Sequence, residues 1–489
     1  MDALVELVAG QVRGRVVDGV RSFLGLPYAA PPVGPALFAA PAPVVPWVGV
    51  RDALTLSPTP PQPSYPPAFA ALLHNPITPG DDFLTVNVWA PDGDVRGLPV
   101  MVWLPGGAFR NGSNSIAIYD GTAFARDGVV LVTVNYRLGA PGFAALPDAP
   151  DNRGLLDQIA ALRWVRDNIS AFGGDPGRVT LFGESAGAMS VATLLTVPAA
   201  RGLFQRAIMQ SGSGTSVADR ADAVRITGEI AAVLGVEPTA RGLSTVEPAA
   251  LIEAQATVTA QLQANPDPAR YGPSIVTRGL GLMSLFPVVD GTLVAGPPVD
   301  AIESGAGADL DLMVGVNTEE FRFFLVPTGV AAAVPEAALP TLAAARGWSP
   351  GIAEHYAANR PGATPGDVLS AIMTDWVFRA PTTRIARAHA SGPGRTFQYE
   401  FAWRTNVSGL GACHALEIPF VFDCLRNEGV TALTGPTPPQ ELATRMHAAW
   451  VAFATTGDPG WPEFESVMTF DQPADTIMVN PRADELALW

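Results

Sequence analysis

Short apolar segments and one longer helical pattern alternate through the first half of the chain. Residues 84–89, 100–104 and 129–134 are apolar, partly β-branched and bounded by Gly, Pro or Asp, which predicts buried strands. Residues 155–169 place apolar side chains at helical spacing with charged residues between them, and residues 179–182 predict a further strand. This alternation predicts an α/β fold with a large, mostly parallel central sheet and helices on both faces.

The flanking segments extend this pattern. The first 60 residues indicate an edge hairpin followed by a proline-rich loop. Strands are predicted again at 312–316 and 396–401, and a terminal helix at 441–455. Between about residues 218 and 269 the sequence is Ala-rich and helical in pattern, which is typical of helices inserted beside a sheet.

The composition is that of one compact, folded unit. Of the 489 residues, 48% are hydrophobic and 16% are charged, so most of the chain can be buried. No internal repeat or linker divides the sequence. We expect residues 1–489 to form a single domain with helical cap or flank insertions around 216–285 and 330–375.

The charge balance restricts the possible partners. A formal net charge of −16 disfavours binding to nucleic acid or to an anionic membrane surface. No apolar run reaches the roughly 18 residues of a membrane span, and the first residues lack the basic and then apolar profile of a secretory leader. We therefore expect a cytoplasmic protein, monomeric or a small homo-oligomer, with a neutral or cationic small-molecule ligand.

The sequence contains no lysine, which excludes Schiff-base catalysis and the phosphate-binding lysine of P-loop and kinase sites. Neither G-x-G-x-x-G nor H-E-x-x-H occurs, and the five histidines are scattered, so we expect no cofactor and no metal. The two cysteines, Cys413 and Cys424, are expected to be reduced thiols, with a local bridge as the open alternative.

The strongest chemical signal is Gly183-Glu184-Ser185-Ala186-Gly187, which lies between a predicted strand and a predicted helix. A serine at such a sharp turn projects its hydroxyl above the sheet, and the two glycines allow the chain to close around it. The helix that follows offers backbone N–H groups to a developing oxyanion. We predict Ser185 as a nucleophile.

An imidazole must activate that serine, because an unperturbed hydroxyl is a poor nucleophile near neutral pH. His355, His389 and His447 lie in helical patterns or at a helix end, which favours surface or packing roles. His414 follows a Gly-rich segment and precedes apolar sequence, so a loop can hold its ring over a site. We predict His414 as the general base.

The third member should be a carboxylate that follows a strand and lies between the other two in the sequence. Glu320 comes shortly after the predicted strand at 312–316, and we predict it as the acid that orients His414. Glu319 is the near competitor. Asp290 is also eligible, although its Asp-Gly sequence favours a turn.

An ester hydrolase also needs backbone N–H donors for the tetrahedral oxyanion. The predicted strand at 100–104 is followed by Pro105, Gly106, Gly107 and Ala108, whose small side chains let backbone amides approach a substrate. Paired with the serine turn, this segment is a candidate oxyanion loop.

Ordered motifs over nearly the whole chain resemble the type-B carboxylesterase and cholinesterase-like family of α/β-hydrolases, most closely its bacterial para-nitrobenzyl-esterase-type members. These motifs lie at residues 23–34, 82–89, 135–139, 152–164, 172–176, 183–187, 210–213 and 414–420. The resemblance implies the α/β-hydrolase fold with helical insertions over the active site. It also implies a bacterial esterase without cofactor.

The same resemblance assigns roles to individual residues. It places the nucleophile at Ser185, the acid at Glu320 and the base at His414, in agreement with the residue patterns. It further implies that the backbone amides of Gly107, Ala108 and Ala186 are the oxyanion donors. It also implies that Ser211 is a partner of the acid and that Glu184 is a buried carboxylate beside the triad.

Three residues depart from the family pattern. Pro105 stands where the oxyanion motif usually begins with histidine, which is expected to change the rigidity of the loop. Phe83 replaces a cysteine that many members carry, and Phe321 replaces the usual glycine after the acid. Phe109, Phe321 and the pair Phe323 and Phe324 are candidates to shape the pocket, with core packing as the equal alternative.

The sequence thus predicts a serine carboxylesterase that acts on small esters, neutral and partly aromatic or apolar, through an acyl-enzyme intermediate. Two alternatives remain open at this point. The same residues could act mainly on amides, carbamates or thioesters, or the chain could be a non-catalytic binding protein on the same scaffold.

Overall fold

A computed structural model describes residues 2–489, so residue 1 of the expected single domain lies outside the described part. A sheet of thirteen strands runs through it, in the order β1-β2-β3-β5-β7-β6-β8-β9-β12-β13-β14-β15, with β4 beside β2, and β10 pairs separately with β11. The strands are β1 Asp2–Leu7, β2 Gly10–Val17, β3 Val20–Pro27, β4 Val50–Asp52, β5 Thr85–Pro91, β6 Leu98–Leu104, β7 Val130–Val134, β8 Gly174–Glu184, β9 Arg206–Gln210, β10 Ala218–Asp219, β11 Val288–Val289, β12 Asp311–Asn317, β13 Thr396–Phe401, β14 Ser466–Phe470 and β15 Thr476–Val479.

The central strands are parallel and the two edges are antiparallel. The pairs from β7 through β6, β8, β9, β12 and β13 to β14 are all parallel. The pairs β1 with β2, β2 with β3, β3 with β5, β5 with β7 and β14 with β15 are antiparallel, whereas the short strand β4 pairs in parallel with β2. Parallel strands end at the same edge of a sheet, so the loops that follow β6, β8, β9, β12 and β13 lie along one edge.

Helices cover the sheet and fill the long connections. They are α1 Pro67–Ala70, α2 Thr122–Arg126, α3 Gly139–Phe143, α4 Arg153–Asn168, α5 Ala186–Thr196, α6 Arg220–Leu234, α7 Ala240–Leu243, α8 Pro248–Ala264, α9 Pro268–Tyr271, α10 Pro273–Arg278, α11 Pro298–Glu303, α12 Arg322–Leu325, α13 Val330–Ala333, α14 Ala338–Arg346, α15 Ile352–Ala358, α16 Pro365–Thr374, α17 Ala380–His389, α18 Ile418–Val421, α19 Val430–Thr434, α20 Gln440–Thr456 and α21 Ala483–Leu486. One π-helical turn, Asp375–Arg379, joins α16 to α17.

The core forms one layer on each face of the sheet. Val100 and Val102 of β6 belong to one layer, whereas Met101 and Trp103 belong to the other, as the alternation of side chains along a strand requires. Helix α5 packs its apolar side chains into the first layer, and α20 contributes Trp450 to the second. The predicted α/β fold with helices on both faces is therefore confirmed.

Most elements predicted from the sequence are present, with shifted ends. The strands predicted at 84–89, 100–104 and 129–134 correspond to β5, β6 and β7, and the helix predicted at 155–169 corresponds to α4. Strand β9 was not distinguished in the sequence, although it lies beside the strand that precedes Ser185. Helices α6 to α10 lie within 216–285, and α13 to α16 lie within 330–375.

None of the helices between residues 2 and 489 combines the length and the hydropathy that a bilayer crossing requires.

Candidate active site

Ser185 occupies a strained turn between β8 and α5. Its backbone adopts φ 54° and ψ −122°, a conformation that L-residues rarely take, and its side chain is partly exposed. A Cβ on Gly187 would overlap the carbonyl oxygen of Leu104, and one on Gly183 would lie 2.7 Å from the Gly187 carbonyl carbon. The two glycines of the motif are therefore required for β6, β8 and α5 to approach one another at this point.

Glu320 follows β12 and is fully buried. Its Oε1 accepts hydrogen bonds from the Ser211 hydroxyl at 2.5 Å and from the Asn317 backbone N–H at 2.7 Å. Its Oε2 lies 2.7 Å from Nδ1 of His414. An ionised carboxylate only accepts, so His414 donates its Nδ1–H to Glu320 and turns Nε2 away from the acid.

His414 lies in the loop between β13 and α18, and its backbone N–H donates to the carbonyl oxygen of Glu320 at 3.2 Å. This second link joins the loop of His414 to the loop of Glu320. Burial alone lowers the pKa of the imidazole. The attraction of the Glu184 and Glu320 carboxylates is larger in sum, and the pKa of His414 is raised well above its ordinary value.

Nε2 of His414 faces Glu184, which precedes the serine. The distance from Nε2 to Glu184 Oε1 is 3.0 Å, and both side chains are buried. Burial raises the pKa of the Glu184 carboxyl, and the neighbouring imidazole opposes that rise. Within residues 2–489 no hydrogen bond joins Ser185 Oγ to the imidazole. In enzymes without substrate the bond from nucleophile to base is often long or poorly aligned, and it tightens when substrate binds.

The segment after β6 presents free backbone donors beside this group. A Cβ on Gly106 would lie 3.2 Å from Cβ of Ser185 and 2.6 Å from Oε2 of Glu184, so the backbone passes directly over the serine turn. Gly107 and Ala108 both have positive φ, at 119° and 56°. Within the described chain the N–H groups of Gly106, Gly107 and Ala108 donate no hydrogen bond, which leaves them available to an oxyanion.

Comparison with known proteins identifies the family of this arrangement. A family model described as "Carboxylesterase family" matches residues 1–489. The chain belongs to the carboxylesterase family. Para-nitrobenzyl esterase of Bacillus subtilis is 37% identical over 475 residues, which cover 93% of this chain and 91% of the relative. Phenmedipham hydrolase of Pseudarthrobacter oxydans is 32% identical over 500 residues, 99% of this chain and 96% of the relative.

Solved structures agree with this assignment. A carboxylesterase from Geobacillus stearothermophilus, solved at pH 6.2, superposes on this carboxylesterase with a TM-score of 0.86 and 36% sequence identity over 99% of both chains. The α/β-hydrolase fold implied by the resemblance is confirmed, and the protein is a carboxylic ester hydrolase.

The carboxylesterase has a further buried carboxylate that the sequence reasoning did not assign. Glu417 accepts from Asn317 Nδ2 at 2.7 Å and from Gln210 Nε2 at 3.1 Å. Burial and the negative charges of Glu184 and Glu320 raise its pKa to about 8. Glu417 lies three residues after His414, within the motif at residues 414–420. That position was the only sequence signal for a carboxylate near His414.

The competing acids lie elsewhere in the carboxylesterase. Glu319 is held by Arg322 at 2.8 Å and by Arg404 at 2.9 Å. Asp290 accepts from the backbone N–H groups of residues 292, 293 and 294, as a turn residue does. The structure therefore brings Glu320, and neither Glu319 nor Asp290, into contact with His414.

The other histidines downstream of Ser185 contact residues outside this group. His355 contacts Asp484, His389 contacts Thr396 and His447 contacts the Val421 carbonyl oxygen. Cys413 and Cys424 are buried free thiols. Between residues 2 and 489, no cluster of three or more His, Cys, Asp or Glu side chains has the geometry of a metal site.

Aromatic rings surround His414. The ring centroids of Phe378 and Phe324 lie 4.8 Å and 5.2 Å from that of the imidazole. Phe324 is half-buried, and Phe321 packs 4.9 Å from it. Phe109 is fully buried against Phe143 and so occupies the core.

Phe378 was not a candidate from the sequence. It lies on the π-helical turn Asp375–Arg379, which contains one residue more than a regular helical turn. A local apolar pattern does not show where such a turn occurs, so it does not predict that the ring of Phe378 lies against the imidazole.

Proposed function

We propose that this carboxylesterase cleaves esters with Ser185 as nucleophile, His414 as general base and Glu320 as the residue that orients the base. The observation that carries the proposal is the 2.7 Å contact between His414 Nδ1 and Glu320 Oε2, beside the strained Ser185 turn. This contact fixes the tautomer in which Nε2 can accept a proton.

In the proposed reaction, Ser185 Oγ attacks the ester carbonyl carbon while His414 Nε2 takes the hydroxyl proton. The oxyanion accepts hydrogen bonds from the N–H groups of Gly107, Ala108 and Ala186, with Gly106 shaping the loop. His414 returns the proton to the departing alcohol, and an acyl-enzyme remains. A water molecule, deprotonated by the same imidazole, then releases the acid.

Glu184 also takes part in the proposed reaction. Because Nε2 of His414 lies 3.0 Å from Glu184 Oε1, the imidazole must turn toward Ser185 Oγ as substrate binds. The Glu184 carboxylate then stabilises the imidazolium that forms during attack, since opposite charges attract strongly in a buried site.

The proposed substrate is a small ester, neutral and partly aromatic or apolar. Phe324 and Phe378 offer apolar surface beside the imidazole, with Phe321 behind Phe324, and the net charge of −16 disfavours anionic substrates. The name of the Bacillus relative, para-nitrobenzyl esterase, is consistent with an aromatic alcohol portion.

We also propose the domain organisation, cellular location and oligomeric state of the protein. We take residues 1–489 as one domain, with the helices at 216–285 and 330–375 flanking the cleft. A cytoplasmic, bacterial protein that is monomeric or a small homo-oligomer fits the bacterial relatives. Sedimentation of the purified chain measures its assembly directly.

The decisive experiment is Ser185→Ala with p-nitrophenyl butyrate as substrate. We expect kcat to fall by roughly 10³-fold or more while the thermal unfolding curve stays unchanged, because only the hydroxyl is lost. Ser244→Ala, a serine outside the site, is the matched control. An organophosphate should label the native enzyme once and leave Ser185→Ala unlabelled. Full turnover by Ser185→Ala would contradict the proposal.

A further inference from the structure

The candidate oxyanion loop at residues 105–108 has a backbone conformation that its side chains disfavour. Gly107, Ala108 and the following Phe109 all have positive φ, at 119°, 56° and 55°. A residue with a Cβ rarely adopts this conformation, and it persists only where surrounding contacts impose it. The N–H groups proposed to bind the oxyanion belong to this strained segment, so their direction depends on the contacts that hold the loop.

One segment of the chain contacts the loop at both ends. Residues 135–139 run from the end of β7 into α3, and the hydroxyl of Tyr136 donates to the carbonyl oxygen of Pro105 at 2.8 Å. The backbone N–H of Gly139 donates to the carbonyl oxygen of Phe109, also at 2.8 Å. The three residues between these two contacts include the proposed oxyanion donors, so residues 135–139 bracket them.

The segment that carries Tyr136 is itself fixed to the core. Arg137 and Asp157 of α4 form a fully buried ion pair, with 2.7 Å between Nη2 and Oδ1, and Asp157 Oδ2 accepts from the Arg137 backbone N–H at 3.0 Å. The backbone N–H of Asn135 donates to the carbonyl oxygen of Thr85 at 3.0 Å. Tyr136 lies between these two anchored residues and is buried, so its hydroxyl has a fixed position beside the loop.

The Tyr136 hydroxyl restrains the peptide group that leads into the donors. Among residues 2–489, no other hydrogen bond reaches the Pro105 carbonyl oxygen. The peptide between Pro105 and Gly106 is planar, so a contact that holds its carbonyl oxygen also fixes the direction of its N–H. The proline ring already fixes φ of Pro105, and the bond from Tyr136 restrains the rotation that remains. Without the hydroxyl this peptide can rotate, and the N–H groups that follow lose their alignment.

We propose that Tyr136 is a positioning residue for ester cleavage, whose hydroxyl holds the Pro105 peptide so that the N–H groups of Gly107 and Ala108 point at the developing oxyanion. The inference rests on the proposed function, because it takes these N–H groups as the oxyanion donors. Burial raises the pKa of the Tyr136 phenol above its ordinary value, so the hydroxyl remains a hydrogen-bond donor through the neutral pH range of an esterase assay.

The test is Tyr136→Phe, which removes one oxygen atom and keeps the ring. We expect kcat for p-nitrophenyl butyrate to fall about 10–100-fold with KM nearly unchanged, because misaligned donors weaken binding of the transition state and not of the ester. A trifluoromethyl ketone forms an oxyanion on Ser185, so its inhibition constant should rise by the factor by which kcat/KM falls. Titration with an organophosphate counts the active molecules, so a smaller folded fraction is not mistaken for a lower kcat.

Tyr28→Phe is the matched control. Tyr28 is also buried, and its hydroxyl donates to the carbonyl oxygen of Asn135 at 2.7 Å, which lies outside the oxyanion loop. Both variants lose one buried hydrogen bond to a carbonyl oxygen, so both should lower the melting temperature by similar amounts. Only Tyr136→Phe should change kcat and the inhibition constant.

Native kcat and native inhibition in Tyr136→Phe, or equal kinetic losses in Tyr28→Phe, would overturn the inference. If Tyr136→Phe does not fold, Pro105→Gly frees the same peptide from its proline restraint. A parallel loss of kcat and inhibitor affinity in Pro105→Gly supports the inference, and native kinetics there count against it. Full turnover by Ser185→Ala would remove the proposed function as a whole, whereas an inactive Ser185→Ala beside a native-like Tyr136→Phe would contradict only the role of Tyr136.

Discussion

At the scale of single residues, the imidazole of His414 contacts two carboxylates, one at each ring nitrogen. Glu320 holds Nδ1 of His414 at 2.7 Å and is itself fixed by Ser211 and Asn317. Glu184 lies 3.0 Å from Nε2, the nitrogen that receives the proton in the proposed reaction. The first contact orients the imidazole, and both carboxylates raise its pKa.

Glu184→Gln should therefore move the acidic limb of the pH profile of kcat/KM to lower pH. His414 must be neutral to act as a base, and the Glu184 carboxylate favours its protonated form, so removing that charge lets the ring lose its proton at lower pH. The profile measured with p-nitrophenyl butyrate checks this. Glu319→Gln is the control, and an unmoved limb in Glu184→Gln would exclude this role.

Glu320→Gln and Glu319→Gln separate the two adjacent acids. Glu320→Gln should lower kcat by roughly two to four orders of magnitude, because an amide no longer fixes the Nδ1–H tautomer. Glu319→Gln should leave kcat within a few-fold, because Glu319 contacts Arg322 and Arg404 instead of His414. The reverse result, measured by steady-state kinetics with folding checked by circular dichroism, would make Glu319 the acid.

At the scale of elements, the position of the proposed nucleophile, Ser185, depends on the close approach of β6, β8 and α5. Gly187→Ala should destabilise the fold by about 1–3 kcal/mol, because the added methyl group overlaps the Leu104 carbonyl oxygen and the backbone must shift. Gly228→Ala in α6 is the matched control, since its methyl group meets open space. It should stabilise the fold by about 0.5–1 kcal/mol. Equal thermal shifts in the two variants would contradict the packing argument.

The sequence predicts the elements whose signals are local. The strand, turn and helix around Ser185 are readable because their glycines and apolar positions are adjacent in the chain. Strand β9 and the π-helical turn Asp375–Arg379 are not, because pairing and helix irregularity are set by tertiary packing. The contact of Phe378 with His414 and the hydrogen bonds of Glu417 therefore emerge only when distant segments are placed together.

At the scale of the whole molecule, the parallel sheet explains why the loops that carry residues 185, 320 and 414 lie along one sheet edge. Their loops follow β8, β12 and β13, and these strands end at the same sheet edge. The order of the motifs predicts a triad from these loops, and that triad stays a prediction. A surface cavity lined by five arginines could not be predicted, because Arg322, Arg360, Arg379, Arg404 and Arg482 are far apart in the sequence and share no local pattern.

Gathering three buried carboxylates at one sheet edge should also make the stability of the whole fold depend on pH. The pKa of Glu417 rises from an ordinary 4.5 to about 8 in the folded chain, because of burial and of Glu184 and Glu320. A carboxyl whose folded pKa exceeds its unfolded value holds its proton more tightly when folded. The free energy of unfolding therefore falls as pH rises between those two values, by up to about 1.4 kcal/mol per pH unit from this group.

Urea unfolding from pH 5 to pH 8 measures that slope, and Glu417→Gln should flatten it because an amide does not titrate. Glu336→Gln, an exposed carboxylate, is the control and should keep the native slope. Glu184 and His414 also have raised pKa values, so they reduce stability in the same direction as pH rises, and a residual slope should persist in Glu417→Gln. A slope identical to that of the native chain would mean that Glu417 is already ionised in the folded protein.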